Sequence, residues 1–268
     1  MIGAITGDIV GSIYEFNNIK TTEFPLFSLG CNFTDDTIMT VATADAILHD
    51  KDFATTYQEW GKRYPFPMGG YGGNFSTWLR SAKLQPYNSF GNGAAMRVGP
   101  IGWAFNSLKE VQREAQRSAR CSHNHTEGLK GAMATASAIY LSRTRTPKQE
   151  IKQYIERNFG YNLSRNTDEI RPIYKFNESC QGTVPEALIC FMEGENFEHA
   201  IRLAISLGGD SDTLTAITGS VAEAYHGIPD NIIETTLSYL PGEMRNIVHK
   251  FNKKYHDEKK RVRHIPLL

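Results

Sequence analysis

Helical periodicity runs through most of this chain, and the helices it marks are built from small residues. Residues 126–142 carry Leu129, Ala132, Met133, Ala136 and Ile139 at i, i+3, i+4 spacing, and Ala, Ser and Thr fill the stretch from Ala132 to Ala138. Residues 35–48 open with two aspartates and carry Ile38, Val41, Ala42 and Leu48. Residues 107–120 hold Val111 and Ala115 inside a polar helix, and 146–158 form a charged amphipathic one. Residues 197–207 carry Phe197, Ile201, Ala204 and Ile205, with Gly208 placed to end the helix. Residues 212–225 carry Leu214, Ile217, Thr218, Val221 and Tyr225. Thr183 and Glu186 make a capping box with Pro185 in the first turn, which predicts a helix start at 183. Alternating strand patterns are scarce. Small residues let helix axes approach closely, so the expectation is a compact all-α fold.

The 268 residues contain no repeat and no low-complexity linker, which predicts one domain over 1–268 with a locally basic tail at about 253–268. The tail reads as solvated, or as a contact to an acidic or nucleic-acid-linked substrate. Twenty-nine basic residues balance 29 acidic ones, which excludes a chain-wide basic field for nucleic acid. No stretch approaches ~18 uninterrupted apolar residues, so no membrane span is expected. The N-terminus lacks a basic region, and Asp8 interrupts its apolar run, so it does not read as a signal peptide. Cys31, Cys121, Cys180 and Cys190 form no C-x-x-C pair and read as free thiols of a cytoplasmic protein.

Two acidic clusters stand at predicted helix starts: Thr34-Asp35-Asp36-Thr37 and Gly209-Asp210-Ser211-Asp212-Thr213. Helix capping explains one carboxylate at each. It does not explain two carboxylates and a hydroxyl packed together twice. Hard oxygen donors in this arrangement suit Mg²⁺, Mn²⁺ or Ca²⁺ rather than zinc, and two ions could share them. The loops Gly69-Gly70-Tyr71-Gly72-Gly73 and Phe90-Gly91-Asn92-Gly93 expose backbone N–H groups. They are either tight turns or phosphate cradles, and neither fits the P-loop or the dinucleotide fingerprint. Near the start, Asp8, Gly11, Ser12 and Glu15 fall at i, i+3, i+4 and i+7, which predicts one helical stripe walling a polar cleft.

Taken in order, these motifs resemble the ADP-ribosylglycohydrolase family over most of the chain. They are G-D-x-x-G-S-x-Y-E, F-T-D-D-T, G-Y-G, S-F-G-N-G-A-A-M-R, S-H at a helix start, and G-G-D-S-D-T. The resemblance implies an orthogonal multi-helix bundle with a dinuclear Mg²⁺ or Mn²⁺ centre. It implies metal ligation by Thr34, Asp35 and Asp36 from one helix start, and by Asp210, Asp212 and Thr213 from the other. It implies that Gly70, Tyr71, Gly72, Ser89, Phe90, Gly91, Asn92 and Gly93 wrap ADP-ribose. Ser89 would then face the diphosphate, Phe90 would stack near adenine, and His123 would line the cleft. His125 and Arg97 are left with structural roles.

Glu15 ends the first motif as in the branch acting on serine-linked ADP-ribose, poly(ADP-ribose) and related O-linked compounds. The resemblance thus implies a metal-dependent hydrolase that cleaves the C1″ glycosidic bond with Glu15 as acid/base. Its substrate would be an ADP-ribosylated protein or nucleic acid, and the enzyme is expected to be a monomer. The competing readings are an arginine-linked ADP-ribosyl hydrolase, a metal-dependent phosphohydrolase of ADP-ribose or nucleotides, and a non-catalytic relative of the lens-crystallin kind. The last predicts lost ligands, and all six ligand positions and Glu15 are present.

Overall fold

The structure is a computed structural model and describes residues 1–257. Among them the chain forms fifteen α-helices, no strand, and a π-helical turn at Lys253–Asp257. In order they are α1 (Ile2–Gly11), α2 (Asp35–His49), α3 (Phe53–Arg63), α4 (Gly73–Arg80), α5 (Gly93–Met96), α6 (Gly99–Ala104), α7 (Leu108–Arg120) and α8 (Thr126–Arg143). Then follow α9 (Lys148–Phe159), α10 (Thr167–Ile170), α11 (Cys180–Glu193), α12 (Phe197–Leu207), α13 (Ser211–His226), α14 (Asp230–Ser238) and α15 (Gly242–Asn252). No helix among the described residues is long and apolar enough to cross a membrane.

The seam between α1 and α13 sets the site. Every residue of α1 is buried. A Cβ on Gly3 would lie 2.2 Å from the Gly219 carbonyl oxygen, one on Gly7 2.2 Å from that of Thr215, and one on Gly11 2.5 Å from Asp212 Cα. Glycines at i, i+4 and i+8 therefore let the two backbones touch along the whole of α1. Any side chain there would push the helices apart, and with them Asp8 from Asp212. Around this pair α8, α11 and α12 pack on α13, and α2 packs on α1.

Two expectations change. α1 ends at Gly11, and the chain turns through Ser12 and Tyr14, whose N–H groups bond the carbonyls of Asp8 at 2.9 Å and Gly11 at 2.8 Å. Glu15 therefore reaches the site from a turn, not from a helical stripe.

α11 starts at Cys180, with Ser179 as its cap, and Pro185 lies inside the helix. Tertiary pairing decides this start. Asn92 N–H donates to the Glu178 carbonyl at 2.7 Å and Cys180 N–H to that of Phe90 at 2.9 Å, which pins the chain one turn earlier. Thr183 is drawn into that network, donating to the Asn177 carbonyl, and Glu186 pairs with Arg165 at 2.8 Å instead of capping.

The start of the expected solvated tail, Lys253–Asp257, is a π-helical turn, and the Tyr255 ring packs 4.7 Å from that of Phe251. The rest of that segment lies outside the described residues.

Candidate metal and ligand site

The first acidic helix start is closed by hydrogen bonds. Thr34 caps α2 by accepting the Asp36 N–H at 3.2 Å. Asp8, on α1, accepts from Thr34 Oγ1 at 2.6 Å, from Thr34 N–H at 2.9 Å and from Thr37 N–H at 3.0 Å. One buried carboxylate thus takes up three donors of the α2 terminus. Asp36 points inward, and its Oδ1 is buried without a partner.

The second start is built differently. Gly208 and Gly209 take φ of +69° and +77°, a region an L side chain adopts only with strain. Asn18 holds this turn from both sides: its Oδ1 accepts the Gly209 N–H at 2.7 Å and its Nδ2 donates to the Gly209 carbonyl at 2.9 Å. Asp210 stands at the N-cap of α13 but makes no side-chain cap bond. It accepts instead from Asn92 Nδ2 at 2.7 Å. Thr213 Oγ1 donates to Asp36 Oδ2 at 3.2 Å and joins the two starts.

The carboxylates gather in two groups whose oxygens lie within 4.8 Å of one another: Asp8, Asp36 and Asp212, and Glu15, Asp210 and Asp212. Asp212 belongs to both. Among the described residues no lysine, arginine or histidine forms an ion pair with Asp8, Glu15, Asp35, Asp36, Asp210 or Asp212. The acids consequently titrate high. Burial, and then the neighbouring Asp8, Asp35 and Asp210 charges, hold Asp36 well above the usual carboxylate range. Burial followed by Asp210, Asp36 and Glu15 does the same to Asp212. Burial lifts Asp8 to about 6 against its hydrogen bonds to Thr34 and Thr37. Half-buried Glu15 rises to about 7, from burial first and then from the charges of Asp210, Asp8 and Glu178.

A hydrophobic or hydrogen-bonded explanation of this cluster fails, because like charges this close repel and one oxygen is orphaned. Divalent cations with hard-oxygen preference fit the donor set. Asp35 is partly buried and lines the adjoining cavity, outside both carboxylate groups. Thr34 does not line the cavity, and its hydroxyl is committed to Asp8 and to the Asp36 N–H.

The cavity encloses about 460 Å³. Glu15, Asp35, Asp36, Asp210, Asp212 and Thr213 form its acidic end. Gly70, Tyr71, Gly72, Ser89, Gly91, Asn92, Gly93 and His123 line the remainder. The glycine segments are turns and cavity walls at once: Gly69 and Gly70 take φ of +75° and +83°, and a Cβ on Gly69 would meet Glu15 Oε2 at 2.8 Å. Phe90 is not among the lining residues. It is 48% exposed, and its ring meets that of His125 edge-on at 5.4 Å.

The aromatic rings that do line the cavity include Tyr87, Phe16 and Phe176, the last two stacked 6.3 Å apart. Sequence reasoning did not single these out, nor Glu178, since each lies in an irregular segment without a spacing signal. Asp8, placed by its spacing only on the first helix's polar stripe, has a supporting role through its three bonds to the α2 terminus.

A family model described as ADP-ribosylglycohydrolase matches residues 1–261. An ADP-ribosylhydrolase ARH3 of Bos taurus is 26% identical, covering 85% of this chain and 84% of that protein, and the Homo sapiens ARH3 gives the same identity. An ADP-ribosylarginine hydrolase Tri1 of Pseudomonas putida is 24% identical, over 85% of this chain and 70% of its own length. A solved structure described as an ADP-ribosylglycohydrolase-related protein complex superposes with a TM-score of 0.71. It is 24% identical, covers 94% of this chain and 96% of its own, and supports the all-α fold. With its two acidic helix starts facing glycine-lined walls across one cavity, and a family match over nearly its full length, the chain belongs to the ADP-ribosylglycohydrolase family.

Proposed function

We propose that this chain hydrolyses the C1″ glycosidic bond of ADP-ribose attached to an acceptor, releasing free ADP-ribose, with a preference for O-linked acceptors such as serine or poly(ADP-ribose). The observation that carries the reading is Glu15: a half-buried carboxyl raised to about 7, within 4.8 Å of Asp210 and Asp212, on the wall of the cavity. Asp35, Asp36, Asp210, Asp212 and Thr213, which line the cavity, would hold two Mg²⁺ or Mn²⁺ ions, with Thr34 left to cap α2; the ions' charge would neutralise the clustered carboxylates, and their Lewis acidity would act on the ribose hydroxyls.

The chain's own residues supply the rest. Gly70, Tyr71, Gly72, Ser89, Gly91, Asn92 and Gly93 offer backbone and side-chain donors to the diphosphate, whereas Phe90, packed on His125 and outside the cavity lining, is given no ligand contact. Cleavage builds positive oxocarbenium character on the ribose, which the acidic end of the cavity favours. A water oxygen bonds to C1″ as the C1″–O bond breaks; one water proton must leave and the departing oxygen must gain one. Glu15, on the cavity wall beside Asp210 and Asp212, is placed to serve in either half of that transfer. The acceptor is an ADP-ribosylated protein or nucleic acid, and the setting is the cytoplasm, where the enzyme acts as a monomer.

The test is a panel of serine-, arginine-, DNA-end- and polymer-linked ADP-ribose with free ADP-ribose as readout, in Mg²⁺ or Mn²⁺. Release from the serine or polymer substrates is expected. Cleavage confined to the arginine substrate would overturn the O-linked preference and place the chain with its arginine-hydrolase relative. Glu15→Gln should keep ADP-ribose affinity near wild type and slow serine-linked hydrolysis at least ~100-fold, within the range typical of general acid–base assistance. A wild-type rate would remove Glu15 from the chemistry.

A further inference from the structure

The fixed cation on the cavity wall is Arg97, to which the sequence gives only a structural role. It is 1% exposed, lines the cavity, and forms no ion pair among the described residues. Its guanidinium lies 4.3 Å over the Tyr57 ring, and its Nε has no partner. Its Nη2 donates to the Ser118 carbonyl at 2.9 Å and to Ser122 Oγ at 3.0 Å. A buried guanidinium without a counter-ion is costly, so its placement calls for a compensating role.

Ser122 is wholly buried between Arg97 and His123, with Oγ 2.8 Å from His123 Nδ1. An arginine can only donate, so Ser122 Oγ is the acceptor of that bond. Its own proton is then best directed at Nδ1; the Cys121 thiol, 4.0 Å away, stands as a donor to Oγ and not as an acceptor from it. The bonds run in one direction, Arg97 to Ser122 to His123. Nδ1 becomes an acceptor, which leaves the ring proton on Nε2. Burial, and then the Arg97 charge, hold His123 well below its ordinary pKa, so the ring is neutral. Nε2 faces the glycine loop: a Cβ on Gly93 would lie 3.3 Å from it and one on Gly91 3.5 Å. No protein acceptor for Nε2 is found among the described residues.

We propose that Arg97 and Ser122 are positioning residues that lock His123 as the neutral Nε2–H tautomer, presenting a fixed N–H donor to an anionic diphosphate oxygen held against Gly91–Gly93. The ligand half of this proposal rests on the ADP-ribose reading; the tautomer does not. A neutral donor binds an oxyanion without adding a charge that would titrate near the acidic end of the cavity.

The experiment is ¹⁵N NMR of the histidine rings in the full chain, with His123 assigned by its loss in His123→Gln, alongside calorimetry of ADP-ribose with Mg²⁺ present. In the wild type, His123 should show a pyridine-like Nδ1 and a pyrrole-like Nε2. Ser122→Ala, a small change at a buried site, should scramble the two tautomers and weaken ADP-ribose about tenfold, the lower end for a hydrogen bond to a charged group. His123→Gln, whose amide N–H can stand near the place of Nε2, should bind more tightly than His123→Ala. An Nδ1–H tautomer in the wild type would overturn the proposal, as would Ser122→Ala with both spectrum and affinity unchanged. If ADP-ribose fails to bind the wild type at all, the functional reading falls while the spectrum still decides the tautomer.

Discussion

The two acidic helix starts look alike in sequence and are opposite in structure. At α2, Thr34 and Asp8 satisfy the helix terminus, and the start is closed. At α13, Asp210 caps nothing, the turn is held by Asn18 from outside, and Asp212 is shared by both carboxylate groups. The difference separates two uses of one residue type. Asp8 ties down the α2 terminus through three hydrogen bonds that need no cation. Asp212 costs the fold stability until one arrives, because burying several like charges is unfavourable without compensation.

The largest effect should come from Asp212→Ala. Turnover should vanish, yet the metal-free protein should melt higher than wild type in chelator, by about 2–4 °C for each kcal/mol of relieved repulsion in a domain near this size. A lower melting temperature in chelator would mean that Asp212 stabilises the fold outright and would erase the contrast.

The pH dependence of the metal-free protein should follow from the burial of these acids, with their mutual repulsion added for Glu15, Asp36 and Asp212. Asp8 and Glu15 have folded-state values of about 6 and 7 against 3.8 and 4.5 for the free groups, and Asp36 and Asp212 are raised as well. The folded state therefore binds more protons than the unfolded one. Its stability should fall as pH rises from the free-acid values through 6 and 7. Scanning calorimetry in chelator should give a melting temperature that drops between pH 5 and 8. Saturating Mg²⁺ or Mn²⁺ should flatten that slope; an equal slope with and without metal would argue against cation binding by these acids.

Thr34→Ala should be the mildest. Loss of the cap costs about 0.5–2 kcal/mol. Opposite to Asp212→Ala, it should lower the melting temperature in chelator as well as in metal. A rise in chelator would place Thr34 with the repelling groups instead of with the cap.

Much of this arrangement was legible before the structure. The 3.6-residue period located α2, α7, α8, α12 and α13 to within a residue or two, because apolar spacing and terminal signals agree there. The acidic pairs were legible because two carboxylates and a hydroxyl exceed what a cap needs. The loop near Ser89 was legible as a wall, but the direction of Phe90 was not. An alternating turn residue can face either way, and the edge-on contact with His125 decides it.

The sequence by itself determined the helices, their small-residue faces, and the inventory of acids and glycines, since these follow from local spacing and residue chemistry. Only the tertiary structure decided what each acid does. The α1–α13 seam, closed to backbone contact at Gly3, Gly7 and Gly11, brings Asp8 to α2 and Asp212 to Asp36. Local signals also misplaced the start of α11, where pairing with the Phe90–Asn92 loop outweighed a capping box. The Arg97–Ser122–His123 relay is read from hydrogen-bond direction, which exists only once residues 97 and 122 meet. A donor's partner is set by three-dimensional proximity, and no one-dimensional spacing encodes it.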